Sequence, residues 1–156
     1  MTTYTASFLS LASPGGIVFR RWQSRWDHTE VTWEEQPWQF VDFGWSSLGA
    51  GGLAGLGSLA MTFPCLPSLH RDLSEASYGR HRALLRVFHY PEEDDGPTPP
   101  ESMILVGAFS GVIGITSITE NTISAEVVHT LGAPGGMLPP RIAITSVIGS
   151  PCSLEV

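Results

Sequence analysis

The chain has 156 residues, 42% hydrophobic and 15% charged, with a formal net charge of −7. That length suits a single domain with a real core, and the charge content is below the ~25% of an ordinary soluble domain, so part of the surface is expected to be covered by other protein. Every basic residue is arginine, and the two small clusters, Arg20, Arg21, Arg25 and Arg80, Arg82, Arg86, fall short of the basic face that duplex DNA requires.

From the N-terminus, Met1-Thr2-Thr3-Tyr4 lacks the basic start of a signal peptide. Phe8–Leu11 and Ile17–Arg20 read as strands joined by the turn signal Pro14-Gly15-Gly16. All five tryptophans follow within a short stretch: Trp22, Trp26, Trp33, Trp38 and Trp45. Thr29–Trp33 and Trp38–Phe43 are predicted strands, the second with Trp38, Phe40 and Asp42 on one face and Gln39, Val41 and Phe43 on the other. Such a concentration of large rings suits a core or an interface.

Leu48–Gly57 is Gly-rich and contains Leu53 and Leu56; the run Leu48–Met61 is too short and too rich in Gly to span a bilayer. Gly49, Gly51 and Ala54 match a dinucleotide pattern in form, but no helix opens behind them to aim amides at phosphate. A flexible loop ordered by assembly is the expectation. Leu59–Phe63 is a strand, and Ser68–Tyr78 is the one predicted helix. Ser68 is its candidate N-cap, Gly79 its left-handed C-terminal residue, Leu69, Leu73 and Ala76 its buried face, and Arg71–Glu75 an i,i+4 pair. Leu84–Tyr90 is the next strand, leading into Glu92-Glu93-Asp94-Asp95 and a Pro-rich stretch, expected to be extended and solvated. Met103–Val106, Phe109–Ile118 and Ile123–Val128 continue as strands, with a turn at Glu120-Asn121. Gly132–Pro140 reads as loop and Arg141–Val147 as a last strand.

Catalytic chemistry finds no support in the pattern. His28, His70, His81, His89 and His129 form no metal-binding spacing. Glu34-Glu35 are adjacent and so point apart on a strand, and the run Glu92–Asp95 reads as a solvated loop, neither suiting a glycosidase pair. No G-x-S-x-G element occurs. Cys65 and Cys152 read as free thiols. The chain is expected to be no enzyme and to carry no cofactor or metal.

The order of features does resemble a known family. Val31-Thr32-Trp33 and Trp38-Gln39-Phe40-Val41 precede a Gly-containing loop; Ala60-Met61-Thr62-Phe63 leads into Pro67-Ser68-Leu69-His70-Arg71-Asp72-Leu73; Leu84-Leu85-Arg86-Val87-Phe88 leads into the acidic loop. Phe109–Gly114 with its hairpin and Leu138-Pro139-Pro140-Arg141-Ile142 complete the series. This pattern resembles the hub and minor tail proteins at the tip of long-tailed bacteriophages, and is similar to the N-terminal domain of lambda-like minor tail protein L, over Ile17–Cys152.

The resemblance implies a mainly β fold, a barrel or sandwich related to the tail-tube fold, with one short helix. It implies a homo-oligomeric ring, threefold rather than sixfold, that joins the tail tube to the hub or spike and lines the DNA conduit. Its partners would be neighbouring tail-tube, distal-tail and hub proteins, with DNA only as passing cargo and no membrane. Assembly would take place in the host cytoplasm, and the protein would end at the distal end of the virion tail. Some relatives bind an iron–sulfur cluster through a Cys-rich region; with only Cys65 and Cys152, none is expected here. The candidate assembly residues are Trp22, Trp26, Trp33, Trp38, Trp45, Leu53, Leu56, Arg86, Glu92, Glu93, Asp94 and Asp95. Two rivals remain: a carbohydrate-binding β-sandwich stacking sugars on the tryptophans, and a small cell-wall hydrolase.

Overall fold

Alternating apolar runs separated by turn residues give nine strands and one α-helix among the described residues, which in this computed structural model are 2–27, 30–46 and 57–129. The strands are β1 (Thr3–Ala12), β2 (Val18–Gln23), β3 (Glu30–Trp33), β4 (Gln36–Phe40), β5 (Gly44–Trp45), β6 (Ser58–Pro64), β7 (Arg82–Pro91), β8 (Ile104–Ile118) and β9 (Thr122–Val128); the helix α1 is Pro67–Tyr78. The protein is mainly β, with one sheet in the order β3-β4-β2-β1-β7-β8-β9-β6-β5.

The two ends of that order are one stretch of chain. β4 pairs with β2 through Trp22↔Gln39 and Gln23↔Phe40, the Val41 amide donates to the Gln23 carbonyl (2.9 Å), and β5 then pairs with β6 through Gly44↔Thr62. The sheet therefore rolls into a barrel, and the rings of Trp22 and Phe63, from strands far apart in the order, lie 5.8 Å apart across its interior.

Period-two alternation then sorts side chains to two sides of the wall. Leu9 and Leu11 of β1, Ala83, Leu85 and Val87 of β7, and Ile123, Ala125 and Val127 of β9 point inward, with Leu69, Leu73 and Ala76 of α1 added to the same cluster. The predicted alternation of β9 and the buried face of α1 are both present. Ala6 and Phe8 of β1 and Phe88 and Tyr90 of β7 point outward, where Trp26, Val31 and Trp38 cover them in a second cluster. β1 and β7 are thus buried on both faces, which explains the continuous buried run Ala6–Leu9.

Several local expectations are corrected. α1 starts with Pro67 in its first turn behind an extended Leu66, and no side chain caps it, Ser68 included. At its other end Gly79 has φ −80°, and Arg80, at φ 52°, takes the left-handed position. His81 N–H then donates to the Ala76 carbonyl (2.9 Å), one residue later than the glycine suggested. Gly79 is instead a matter of space: a Cβ there would sit 2.9 Å from His81 Cε1. Arg71 Nε lies 3.5 Å from Asp72 Oδ1, where the sequence reading paired Arg71 with Glu75. The two strands predicted over Met103–Ile118 are one, with an irregularity opposite Val87/Phe88. Leu53, Leu56, Gly132–Pro140, Arg141–Val147 and Cys152 lie outside the described residues.

Candidate assembly surface

The tryptophan cluster is first of all packing. Trp22 is 1% exposed, inside the barrel; Trp26 and Trp38 are 6% and 3% exposed, in the outer cluster. All three were candidate interface residues; in this structure the same chain already covers their rings. Phe8 is the hub of the outer cluster, with ring centroids 4.0 Å from Trp33, 5.1 Å from Trp38, 5.6 Å from Phe88 and 5.9 Å from Trp26. Trp33 and Trp45 are half-buried. Trp45 Nε1 donates to Ser7 Oγ (2.9 Å), which gives that buried hydroxyl a partner. A sugar platform on Trp22, Trp26, Trp33 or Trp38 would need open ring faces, and three of the four have none.

The charged candidates are engaged within the chain too. Arg86 donates to both carboxylate oxygens of Glu34 (3.1 and 3.0 Å) while lying 4.6 Å over the Trp33 ring. The acidic loop is not simply solvated. Glu92–Asp94 form a short 3-10 turn. Arg25 Nε donates to Tyr90 Oη (2.8 Å), Arg25 Nη2 to Asp95 Oδ2 (2.9 Å) and Tyr90 Oη to Asp95 Oδ1 (2.8 Å). Trp26 Nε1 donates to the Gly96 carbonyl (3.0 Å), pinning the loop against the outer cluster. Burial raises the Tyr90 pKa; the Arg25 hydrogen bond pulls the other way, and the net direction is up, so the hydroxyl stays a donor. Tyr4 Oη reaches Glu92 at 3.4 Å, and Glu93 and Asp94 are exposed.

A separate polar latch joins α1 to the barrel. Asp72 is buried and accepts from Arg20 Nε (2.7 Å) and Nη2 (3.0 Å). Burial drives its carboxyl pKa upward, but the hydrogen bonds and charge of Arg20, with Arg71, outweigh that and hold it below the usual value. The sequence reading gave Asp72 no role; its position one before Leu73, on the edge of the apolar face, was the available signal. This pair floors an open cleft of about 760 Å³ lined also by Trp22, Glu30, Gln39, Leu66 and Arg71.

Several apolar side chains also remain uncovered. Ile17, in the β1–β2 turn, is 74% exposed and Tyr78, at the end of α1, is 95% exposed. Both flank one end of the barrel, where the Phe19 and His81 rings meet at 4.8 Å and Ala12 pairs with Arg82. Ile104, Leu105 and Val106 at the start of β8 are also exposed. Among the described residues no three His, Cys, Asp or Glu side chains gather into a possible metal site, and no helix is long and apolar enough to cross a membrane. No family model and no curated protein matches the chain.

Proposed function

We propose that the protein is a structural subunit of a bacteriophage tail tip or baseplate, forming a ring, threefold by preference, that connects the tail tube to the hub and lines the DNA conduit. The observation that carries this reading is the bare end of the barrel. Its interior is filled by its own side chains, so it has no bore of its own, while Ile17 and Tyr78 stand out from one end where a monomer gains nothing from exposing them. The strand–helix–strand order β6-α1-β7, on which the family resemblance rests, supports it. So does the net charge of −7, which suits a wall past which DNA slides without sticking.

Native mass spectrometry and negative-stain imaging of the purified chain test the reading. Closed rings are expected, and Ile17→Asp with Tyr78→Asp is expected to give monomers whose circular dichroism is unchanged. A chain that stays monomeric at high concentration, and that labelling does not find in a phage tail, would end the proposal.

A further inference from the structure

The charges of this acidic chain are spread unevenly over the barrel. β2, β1, β7 and β8 lie side by side in the sheet and carry no Asp or Glu. Residues directly opposite one another on paired strands share a face. Ser10 of β1 sits opposite Arg21 of β2 and Leu84 of β7, and Leu84 sits opposite Ser110 of β8. Ala12, two residues after Ser10 on β1, sits opposite Arg82. Leu9 and Leu11 point into the barrel, so Arg21, Leu84 and Arg82 stand on its outer wall, and they lie outside the aromatic cluster that β3 and β4 cover. Leu84 is 37% exposed, Arg82 is exposed and Arg21 is half-buried. Arg20, Arg25, Arg71 and Arg86 each meet a carboxylate; among the described residues Arg21 and Arg82 meet none.

Acids without a cation lie at the other end of the same strand. The Glu92–Asp94 turn follows β7 directly. β7 is 10 residues long, so Arg82 and Glu92 lie roughly 30 Å apart, beyond the reach of their side chains. The turn is fixed in place: Glu92 N–H donates to the Thr2 carbonyl (3.1 Å), Asp95 N–H donates to the Glu92 carbonyl (3.0 Å), and the Asp95 carboxylate is tied to Arg25 and Tyr90. Glu93 and Asp94 meet no cation among the described residues. Groups already held in position lose little freedom on binding, so a rigid acidic turn suits an interface.

We infer that the outer wall around Leu84 is the docking site for the Glu92–Asp94 turn of a second copy of this chain. Arg21 and Arg82 receive the carboxylates of Glu93 and Asp94, and Leu84, beside both arginines, supplies the apolar contact. Two free arginines are too few for the phosphates of duplex DNA, whereas they match the two free acids of the turn. The surfaces that meet are different ones, so the contact is head-to-tail, the kind from which closed rings are built. The inference rests on the ring reading and names which surfaces join: Arg82 pairs with Ala12 at the end of the barrel where Ile17 and Tyr78 are bare.

Native mass spectrometry of the full chain and its charge-reversed variants tests it, with circular dichroism as the check on folding. Arg21→Glu with Arg82→Glu is expected to weaken association by about tenfold or more, because like charges then face each other. Glu93→Arg with Asp94→Arg, on the exposed turn, is expected to do the same from the other side. All four substitutions in one chain are expected to restore the assembly, as is mixing the two double variants. Raising the salt should weaken the wild-type contact. Wild-type rings that survive both double reversals overturn the inference and leave the ring reading standing; a wild-type chain that never associates ends both. Failure of the fourfold variant to reassemble while folded also overturns it. So does retention of a duplex DNA oligonucleotide that is lost in Arg21→Glu with Arg82→Glu while assembly is unchanged, which assigns the wall to nucleic acid.

Discussion

Inside the barrel, Trp22 and Phe63 sit buried among the aliphatic side chains of the inner cluster. Outside it, Phe8 touches four aromatic rings under a two-stranded cover, β3 and β4, that is itself held by polar ties. Those ties are Arg86 to Glu34 and Trp38 Nε1 to the Trp33 carbonyl (3.1 Å); beside the cover, Trp26 to Gly96 and Arg25 with Tyr90 and Asp95 fasten the acidic loop to the same outer layer. The inner cluster is therefore stabilised by burial and forms with the sheet as a whole. The outer layer adds area to a wall that already exists, and is able to loosen without opening the barrel. One backbone supports both because β1 and β7 present a buried face to each side.

The largest expected effect breaks the inner cluster. Trp22→Ala should destabilise the chain by about 3–5 kcal/mol, read as a lowered midpoint in urea with all amides losing protection together. Trp38→Ala should also cost several kcal/mol locally, but with a different signature: β3 and β4 amides lose protection while those of β6 and β9 keep it. If both variants opened the same set of amides, the division between inner and outer layers would fall.

The Arg20–Asp72 latch gives a pH-dependent test. Because the folded pKa of Asp72 lies below its unfolded value of about 3.9, its contribution is present above that pH and is lost as pH falls through the lower, folded value. Asp72→Asn should cost about 1–3 kcal/mol near neutrality, the lower part being favoured because Arg20 is partly solvated. It should also flatten the acid limb of the stability profile, measured by urea midpoints between pH 5 and 2. An unchanged acid limb would mean that α1 is docked by Leu69 and Leu73 alone.

The smallest effect sharpens the picture of the outer layer. Glu34 and Glu35, between Trp33 and Gln36, have φ 51° and 61°, a two-residue turn that favours Asn-Gly. Left-handed backbone costs a non-glycine residue about 1–2 kcal/mol, and the Arg86 ion pair with Glu34 offsets part of it. Glu35→Gly should therefore raise stability by up to about 1 kcal/mol, seen as a small rise in Tm with greater protection in β3 and β4 only.

Short-range pattern was enough to read most of the strands, the helix and its buried face, and the mainly β class, because alternation and turn residues act within a few positions of each other. The two-residue turn at Glu34-Glu35 escaped because neither residue is a usual left-handed former. The helix end shifted by one residue, with Arg80 rather than Gly79 in the left-handed conformation, an outcome that the glycine's position did not signal. The candidate site was legible only in part. Trp22, Trp26 and Trp38 were visible as a cluster, but nothing local says whether a ring faces its own chain or a partner. Arg86, Asp95 and Asp72 looked like surface charges until the fold brought Glu34, Arg25 and Arg20 to them across 52 to 70 residues of sequence. Which face of a strand is wet follows from what else comes to lie on it, and here that depended on closure: the short stretch Val41–Phe43 carries the chain from β4, paired with β2, to β5, paired with β6, rolls the sheet and creates an inside. The residues themselves determined where the strands run; only the rolled sheet decided which tryptophans became core, which charges were paired, and which flanks were left bare.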